Sequence, residues 1–300
     1  MPHIQYIDKN IKEPKQEIID QANVIIAEYQ AQGLDLTLRQ LFYKFVTRNL
    51  LPNTERAYKR LGNIIADGRL LGLIDWASIV DRTRGVEGGG HWSSPEEMIR
   101  TMATHYKIDK WQGQDYHPEI WIEKDALKGV IADVCERLDV RYLSCRGYTS
   151  ISEMWQSAQR LLEAQEEEGK IPIIFHMGDH DPSGMDMSND IKKRLRMFGV
   201  DQLQFERIAL NLNQIQQYGP PPNPTKLTDS RAGEYIDQFG YDCWELDALD
   251  PPVMIQLIED SVTNVRDDAQ WDVMCAQQQD ELDQLQGVSD DWAKIIQNLP

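Results

Sequence analysis

Ile171-Pro172-Ile173-Ile174-Phe175-His176-Met177-Gly178-Asp179-His180-Asp181-Pro182-Ser183-Gly184 is the stretch that decides how this chain folds. Ile171 to Met177 is an apolar run of strand length, suited to burial on both faces of a sheet. Asp179 and Asp181 follow, two residues apart in an extended segment, so their side chains can point the same way. Pro182 and Gly184 then force a turn and open a helix over 183–198. Upstream, Glu119-Ile120-Trp121-Ile122-Glu123 predicts a strand, followed by a helix over 126–138, a strand over 141–144 and a helix over 150–168. Phe205 to Leu210 predicts a fourth strand. Such strand–helix alternation implies an α/β fold with a parallel, Rossmann-like sheet, whose ligands sit at the carboxyl ends of its strands.

That geometry gives the acidic residues a chemical meaning. Glu123 ends the first strand, and Asp179 and Asp181 follow the third. In a parallel sheet these ends share one edge, so the three carboxylates converge although 56 residues separate Glu123 from Asp179. Crowded carboxylates repel one another unless a cation neutralises them. Hard oxygen ligands favour Mg2+, which retains waters and pairs with phosphate oxygens. The plain alternative is a set of solvated acidic residues at strand ends. His176 and His180 offer a rival, a two-metal phosphoesterase of the calcineurin kind, but the further Asn-His and His-x-His elements it requires are missing. Both histidines are expected to support the site or to face DNA.

The region before the sheet reads differently. Ile18, Ala22, Ile25 and Tyr29 line one face of a helix over 16–32, closed by Gly33. Thr37 is placed to cap a second helix over 38–48, with Leu38, Leu41, Phe42 and Phe45 on its apolar face. Asn53 or Thr54 caps a third helix towards Arg69, and Leu73 to Trp76 predicts a small strand element. Together these predict a helical, winged-helix-like domain over residues 1–112, followed by a sheet domain over 113–300 with a helical, acidic C-terminal region. Pro95 to Trp111 is expected to be helical. Tyr43 is expected to project from the polar face of the second helix, with Arg39 one turn earlier. A half-buried structural tyrosine is the bland reading of the same position.

Composition sets limits. The chain has 300 residues, 41% hydrophobic and 27% charged, and no run of 18 apolar residues that would span a bilayer. Residues 1–10 have no basic segment followed by an apolar one, so a secretory signal is not expected. Cys135, Cys145, Cys243 and Cys275 have no C-x-x-C spacing and fit reduced, buried thiols. The net charge of −18 argues against indiscriminate nucleic-acid binding, but it is uneven. Residues 39–84 hold nine Lys/Arg against four Asp/Glu, while residues 232–300 hold two against sixteen. A polyanion could meet the first segment and avoid the second; the plain reading of the acidic segment is a solubilising surface.

At this point the motifs resemble a known family. Ile122-Glu123-Lys124 with Gly-Asp-His-Asp-Pro-Ser-Gly (178–184) resembles the TOPRIM fold of topoisomerases, primases and related nucleases. The Asp-x-Asp-Pro-x-Gly form is closest to the A subunit of topoisomerase VI and its meiotic double-strand-break relative. Arg146-Gly147-Tyr148-Thr149-Ser150 resembles that family's Gly-rich turn, and Trp244-Glu245-Leu246-Asp247-Ala248-Leu249 its downstream Glu-rich motif. Thr37-Leu38-Arg39-Gln40-Leu41-Phe42-Tyr43 resembles the motif whose Tyr is the DNA nucleophile within a winged helix.

The resemblance implies a DNA-cleaving transesterase. Tyr43 and Arg39 would be catalytic, together with Glu123, Asp179 and Asp181 holding Mg2+. Arg48, Lys59, Arg60, Arg69, Arg82, Arg84, Lys124 and Arg146 would meet DNA, chiefly at its phosphates. It also implies a homodimer, a nucleoid-associated cytoplasmic location and no membrane contact. An ATPase, where one takes part, would be a separate subunit, since the chain has no G-x-x-x-x-G-K-[ST] segment. A hydrolytic TOPRIM endonuclease, with water attacking, is the alternative; a DNA-binding protein on a degenerate TOPRIM scaffold and a primase fit less well.

Overall fold

A computed structural model describes residues 3–79 and 91–297. The first helices form where the sequence supplies both caps and an apolar stripe. Helix α1 (Glu13–Gln30) starts with Pro14 in its first turn and buries Ile18, Ile19, Ala22, Ile25, Ile26 and Tyr29. At the start of α2 (Leu38–Thr47), Thr37 Oγ1 accepts from the Gln40 amide while the Thr37 amide donates to Gln40 Oε1, a reciprocal capping box. At the start of α3 (Glu55–Leu70), Thr54 Oγ1 accepts from the Ala57 amide at 3.2 Å. These three helices enclose one core, around Ile19, Leu41, Phe45, Leu61 and Ile64, which Ala248 joins from far along the chain. The small strand element expected at 73–76 does not form. Among the described residues before position 80, β pairing is limited to the single bridges Gln5–Leu71 and Leu36–Ile79.

The sheet matches the expected alternation. Strands β1 (Tyr116–Ile122), β2 (Arg141–Ser144), β3 (Ile171–Met177) and β4 (Gln204–Ala209) are all parallel, in the order β2-β1-β3-β4. The connections are α5 (Lys128–Arg137), α6 (Ile151–Glu166) and α7 (Pro182–Met197). Alternation along each strand divides the apolar side chains between two faces. Ile120, Ile122, Ile173, Phe175 and Met177 pack with Ile131 of α5 and with Met254 and Ile258 of a later helix, α10 (Pro251–Asn264). Trp121 and Ile174 pack on the other side with Met154 and Leu161 of α6 and Ile191 and Leu195 of α7. Both faces are covered, as an all-parallel sheet requires.

Helix α4 (Pro95–His105) belongs by its packing with the second part of the chain, although the sequence reading groups it with the first. It lies along the long C-terminal helix α11 (Asp268–Asp290), where Tyr106 Oη donates to Glu281 Oε2 at 2.6 Å. Trp111 sits in the sheet core, and its indole donates to the Leu138 carbonyl at 3.0 Å. The physical reason is burial: Trp111 finds a partner in Trp271, with ring centroids 5.9 Å apart. All four cysteines are free, with Cys135 and Cys145 buried. No described helix is long and apolar enough to cross a membrane.

Inside the sheet, Glu119 is fully buried and forms a forked pair with Arg160, whose Nε and Nη2 donate at 2.6 and 2.9 Å. The Trp121 indole adds a third bond at 2.9 Å. Burial alone would raise the Glu119 pKa, but His117, Arg160 and Trp121 pull it down to about 2. Arg160→Met should therefore leave a buried carboxylate without its countercharge and destabilise the fold by roughly 3–5 kcal/mol. The urea midpoint at neutral pH measures this loss.

Candidate active site

The carboxyl edge of β1 and β3 gathers the acidic residues. Glu123 lies one residue beyond β1, held by a bond from its amide to the Met177 carbonyl at 2.9 Å. Its side chain turns towards the neighbouring strand, and Oε2 accepts from the Asp179 amide at 2.8 Å. Two glycines make that reach sterically permissible. A Cβ on Gly178 would stand 3.0 Å from Glu123 Oε2, and one on Gly184 would stand 3.1 Å from it and only 2.2 Å from the Asp179 carbonyl oxygen. The glycines of Gly-Asp-His-Asp-Pro-Ser-Gly are thus needed where the backbone passes close to a carboxylate.

Asp179 and Asp181 are held differently. Asp179 is buried; its Oδ1 accepts from the Leu246 amide at 2.8 Å and faces Lys124 Nζ at 3.0 Å. Asp181 caps α7, its Oδ1 accepting from the Gly184 amide at 2.6 Å. Glu123 and Asp179 each respond to a neighbouring carboxylate. Burial, reinforced by Asp181, raises the Glu123 pKa against the pull of the Asp179 amide and Lys124. Burial and the Glu123 charge push Asp179 up to about 7, despite Lys124 beside it.

Glu245 and Asp247 enlarge this group. The short antiparallel pair β5 (Asn223–Pro224) and β6 (Asp242–Cys243) leads into them, and His180 fixes their position. The His180 and Trp244 backbones exchange two hydrogen bonds, of 2.8 and 3.0 Å, and the His180 ring lies among Tyr235, Phe239 and Trp244. Lys124, largely buried, then contacts Asp179, Glu245 and Asp247 at 3.0, 2.9 and 3.5 Å. Although burial works the other way, these carboxylates keep its ammonium charged. Arg39 reaches the same pair from α2, at 2.6 Å from Glu245 and 3.7 Å from Asp247. Five carboxylates thus meet the three cations Lys124, Arg39 and Arg207. With all five ionised, the excess would be two negative charges, the complement of one divalent cation. Mg2+ is commonly held by one or two carboxylates with water filling the remaining positions. Among the described residues, no group of three or more His, Cys, Asp or Glu side chains is arranged to hold a metal ion.

Tyr43 departs from its expected orientation. It is buried, not projecting into solvent, because α2 docks against the short 3-10 turn Leu246–Ala248. Its ring packs beside Phe42, and its hydroxyl lies in the field of Glu245, Arg39 and Lys124. Burial first, then Glu245, raises the phenol to about 12 against the pull of Arg39. Tyr43 and the strand-end carboxylates are therefore linked within one chain, through Arg39, Glu245 and Lys124.

The expected DNA contacts occupy varied settings. Arg48 forms a forked pair with Glu28, and Lys59 pairs with Glu55 one turn away. Arg60 is exposed and makes no ion pair among the described residues. Arg69 turns inward to the Ile79 carbonyl and lies over the Trp76 ring, and Lys124 is taken up by the carboxylates. Arg146 is exposed and 3.2 Å from Asp125, in a turn where it and Gly147 both have positive φ. Arg82 and Arg84 lie outside the described residues. His176 and His180 are both buried, so neither presents its ring to solvent.

The sequence reading missed Arg207, which stands within the carboxylates' field. A lone arginine in Phe205-Glu206-Arg207-Ile208-Ala209-Leu210 was the available signal, since an inward charge in an apolar strand needs a partner. No protein-family model matches the chain, and no curated protein matches it.

Two outcomes follow from this geometry. Gly184→Ala should destabilise the fold by about 1–3 kcal/mol or more, since its Cβ overlaps backbone; chemical denaturation measures it. The raised Asp179 pKa has the opposite sign from an ordinary paired carboxylate. Between the unfolded value of 3.8 and about 7, the folded state holds a proton that the unfolded state has lost. Asp179 therefore costs stability progressively as pH rises through that range. His176 and His180, depressed chiefly by burial to about 3 and about 4, act the other way as they hold the neutral form. Comparison with Asp179→Asn removes their contribution. The variant's thermal midpoint should gain on the wild type's between pH 5 and pH 8, without added metal.

Proposed function

We propose that the chain is a magnesium-dependent DNA-cleaving enzyme. The carrying observation is the convergence of Glu123, Asp179 and Asp181 at one sheet edge, within an unbalanced charge cluster that also contacts the tyrosine-bearing helix. The TOPRIM-like order of motifs and the helical unit before them support the same reading. Glu123, Asp179 and Asp181 would hold Mg2+, which when bound supplies charge neutralisation at the phosphate and stabilises the departing oxygen.

In this reading Tyr43 Oη forms the new bond to phosphorus and the P–O3′ bond breaks, leaving a 5′-phosphotyrosyl link. The phenolic proton passes to water, and the 3′-oxygen gains a proton from water. Arg39 holds a non-bridging oxygen once it releases Glu245. Because Tyr43 is buried, α2 must shift before attack. Exposed Arg60 and Arg146 are the candidate phosphate contacts that remain accessible. Two copies of the chain would cut the two strands of a duplex.

One observation favours a second reading: a buried phenol raised to about 12 is a weak nucleophile. A hydrolytic endonuclease would use the same carboxylates with water attacking, and Tyr43 would only position DNA. Supercoiled plasmid incubated with the protein and Mg2+, with and without protease before electrophoresis, separates the two. The transesterase leaves protein on the cut end, and Tyr43→Phe abolishes that adduct. Cleavage by Tyr43→Phe at the wild-type rate selects the hydrolase. Asp179→Asn should lower cleavage at least about a hundredfold in either case; no cleavage by the wild type with any divalent cation removes both.

A further inference from the structure

Beneath the acidic loop lies a guanidinium that the reaction itself does not use. Arg207, on β4 opposite His176 of β3, points to the same edge as Glu123. Its Nη2 donates to the Gly178 carbonyl at 2.8 Å and the Asp179 carbonyl at 2.5 Å. Its Nη1 donates to the Gly184 carbonyl at 3.1 Å and to Ser188 Oγ at 2.6 Å. One side chain therefore grips the end of β3, the loop and the first two turns of α7. Ser188 extends the grip, being 3.1 Å from His176 Nδ1, and that ring lies against Phe205.

We propose that Arg207 is the positioning residue of the acidic loop: its planar fork fixes the Gly178, Asp179 and Gly184 carbonyls, and so sets where the Asp179 and Asp181 carboxylates stand relative to Glu123. The role in cation binding rests on the function proposed above; the grip on the loop does not.

The chemistry favours arginine for two reasons. The Gly178 carbonyl also accepts from the Leu210 amide at 2.8 Å and the Gly184 carbonyl from Ser188 Oγ at 3.3 Å, but the Asp179 carbonyl depends on the guanidinium, and a buried carbonyl left without a donor costs about 1–3 kcal/mol. A guanidinium offers five N–H groups in a fixed plane, enough to serve several acceptors at once, whereas an ammonium is a point with three donors. Its positive charge also lies beneath three carboxylates without occupying their outward oxygens. Lys124 approaches the same group from the side and bonds carboxylates directly; Arg207 bonds the backbone that carries them. The close contacts agree with this division. A Cβ on Gly178 would meet Arg207 Nη1 at 3.1 Å and Glu123 Oε2 at 3.0 Å, so the guanidinium, the glycine and the carboxylate share one tight junction.

The test uses the whole chain with Arg207→Lys, which keeps the charge and removes the fork, and Ser188→Ala, which removes one acceptor at little risk to folding. Amide hydrogen exchange is followed over 178–184 and, as an internal control, over β1 and β3. Mn2+ binding is measured by electron paramagnetic resonance without DNA. In Arg207→Lys, the 178–184 amides should exchange about tenfold or more faster while β1 and β3 keep their protection, and Mn2+ should bind about tenfold or more weakly. Ser188→Ala should move both in the same direction by less. Unchanged loop exchange in Arg207→Lys overturns the proposal, and so does loss of protection equally across β1 and β3. Faster loop exchange with unchanged Mn2+ affinity overturns its link to the cation. A wild type that binds no Mn2+ defeats the proposed function instead, and the exchange result still decides the grip.

Discussion

Everything at the sheet edge depends on one hydrogen bond across a strand gap, from the Asp179 amide to Glu123 Oε2. It holds a carboxylate, largely removed from water, against the backbone of the neighbouring loop, and it is tolerated because glycines flank it at 178 and 184. Desolvation would expel the charge if nothing compensated it. Lys124 and Arg207 supply part of the compensation, and the remaining imbalance defines the site chemically. The loop is therefore short of positive charge by construction, while its backbone is tightly bonded.

The same imbalance reaches the first helices. Glu245 receives Lys124 on one side and Arg39 on the other, so a carboxylate brought in by the late segment joins α2 to the sheet. Further polar bonds lie nearby: Tyr29 Oη and Lys44 both meet Asp250, and the Asn53 side chain donates to Asn223 Oδ1 at 2.8 Å. These contacts join ions and polar groups to the apolar packing of Ala248 against the helical core.

The sheet was legible because local signals agreed. Apolar runs of strand length alternated with amphipathic segments, and Asp-x-Asp-Pro-x-Gly announced a turn into a helix. The convergence of Glu123 with the two aspartates followed from strand direction alone. What escaped was whatever depends on docking between distant segments. Tyr43 reads as a polar-face residue on the wheel of α2, and it is buried only because residues 246–248, two hundred positions later, cover it. Helix α4 follows the first helices in sequence but packs on α11, since Trp111 and Trp271 meet across the chain. Basic residues show their charge in a sequence and conceal their partners. Arg48, Lys59 and Arg69 look alike there, yet the first two hold carboxylates on their own helical unit and the third holds a carbonyl.

Asp181 carries one last implication. As the residue that caps α7, it needs an acceptor oxygen for the Gly184 amide, and an asparagine or serine would serve that end as well as an aspartate. The helix start explains the acceptor oxygen, and its positive end also favours an acid there. Against that stands the company of Glu123, beside which a neutral residue would satisfy the backbone with less repulsion. At this position the demands of architecture and of chemistry come apart.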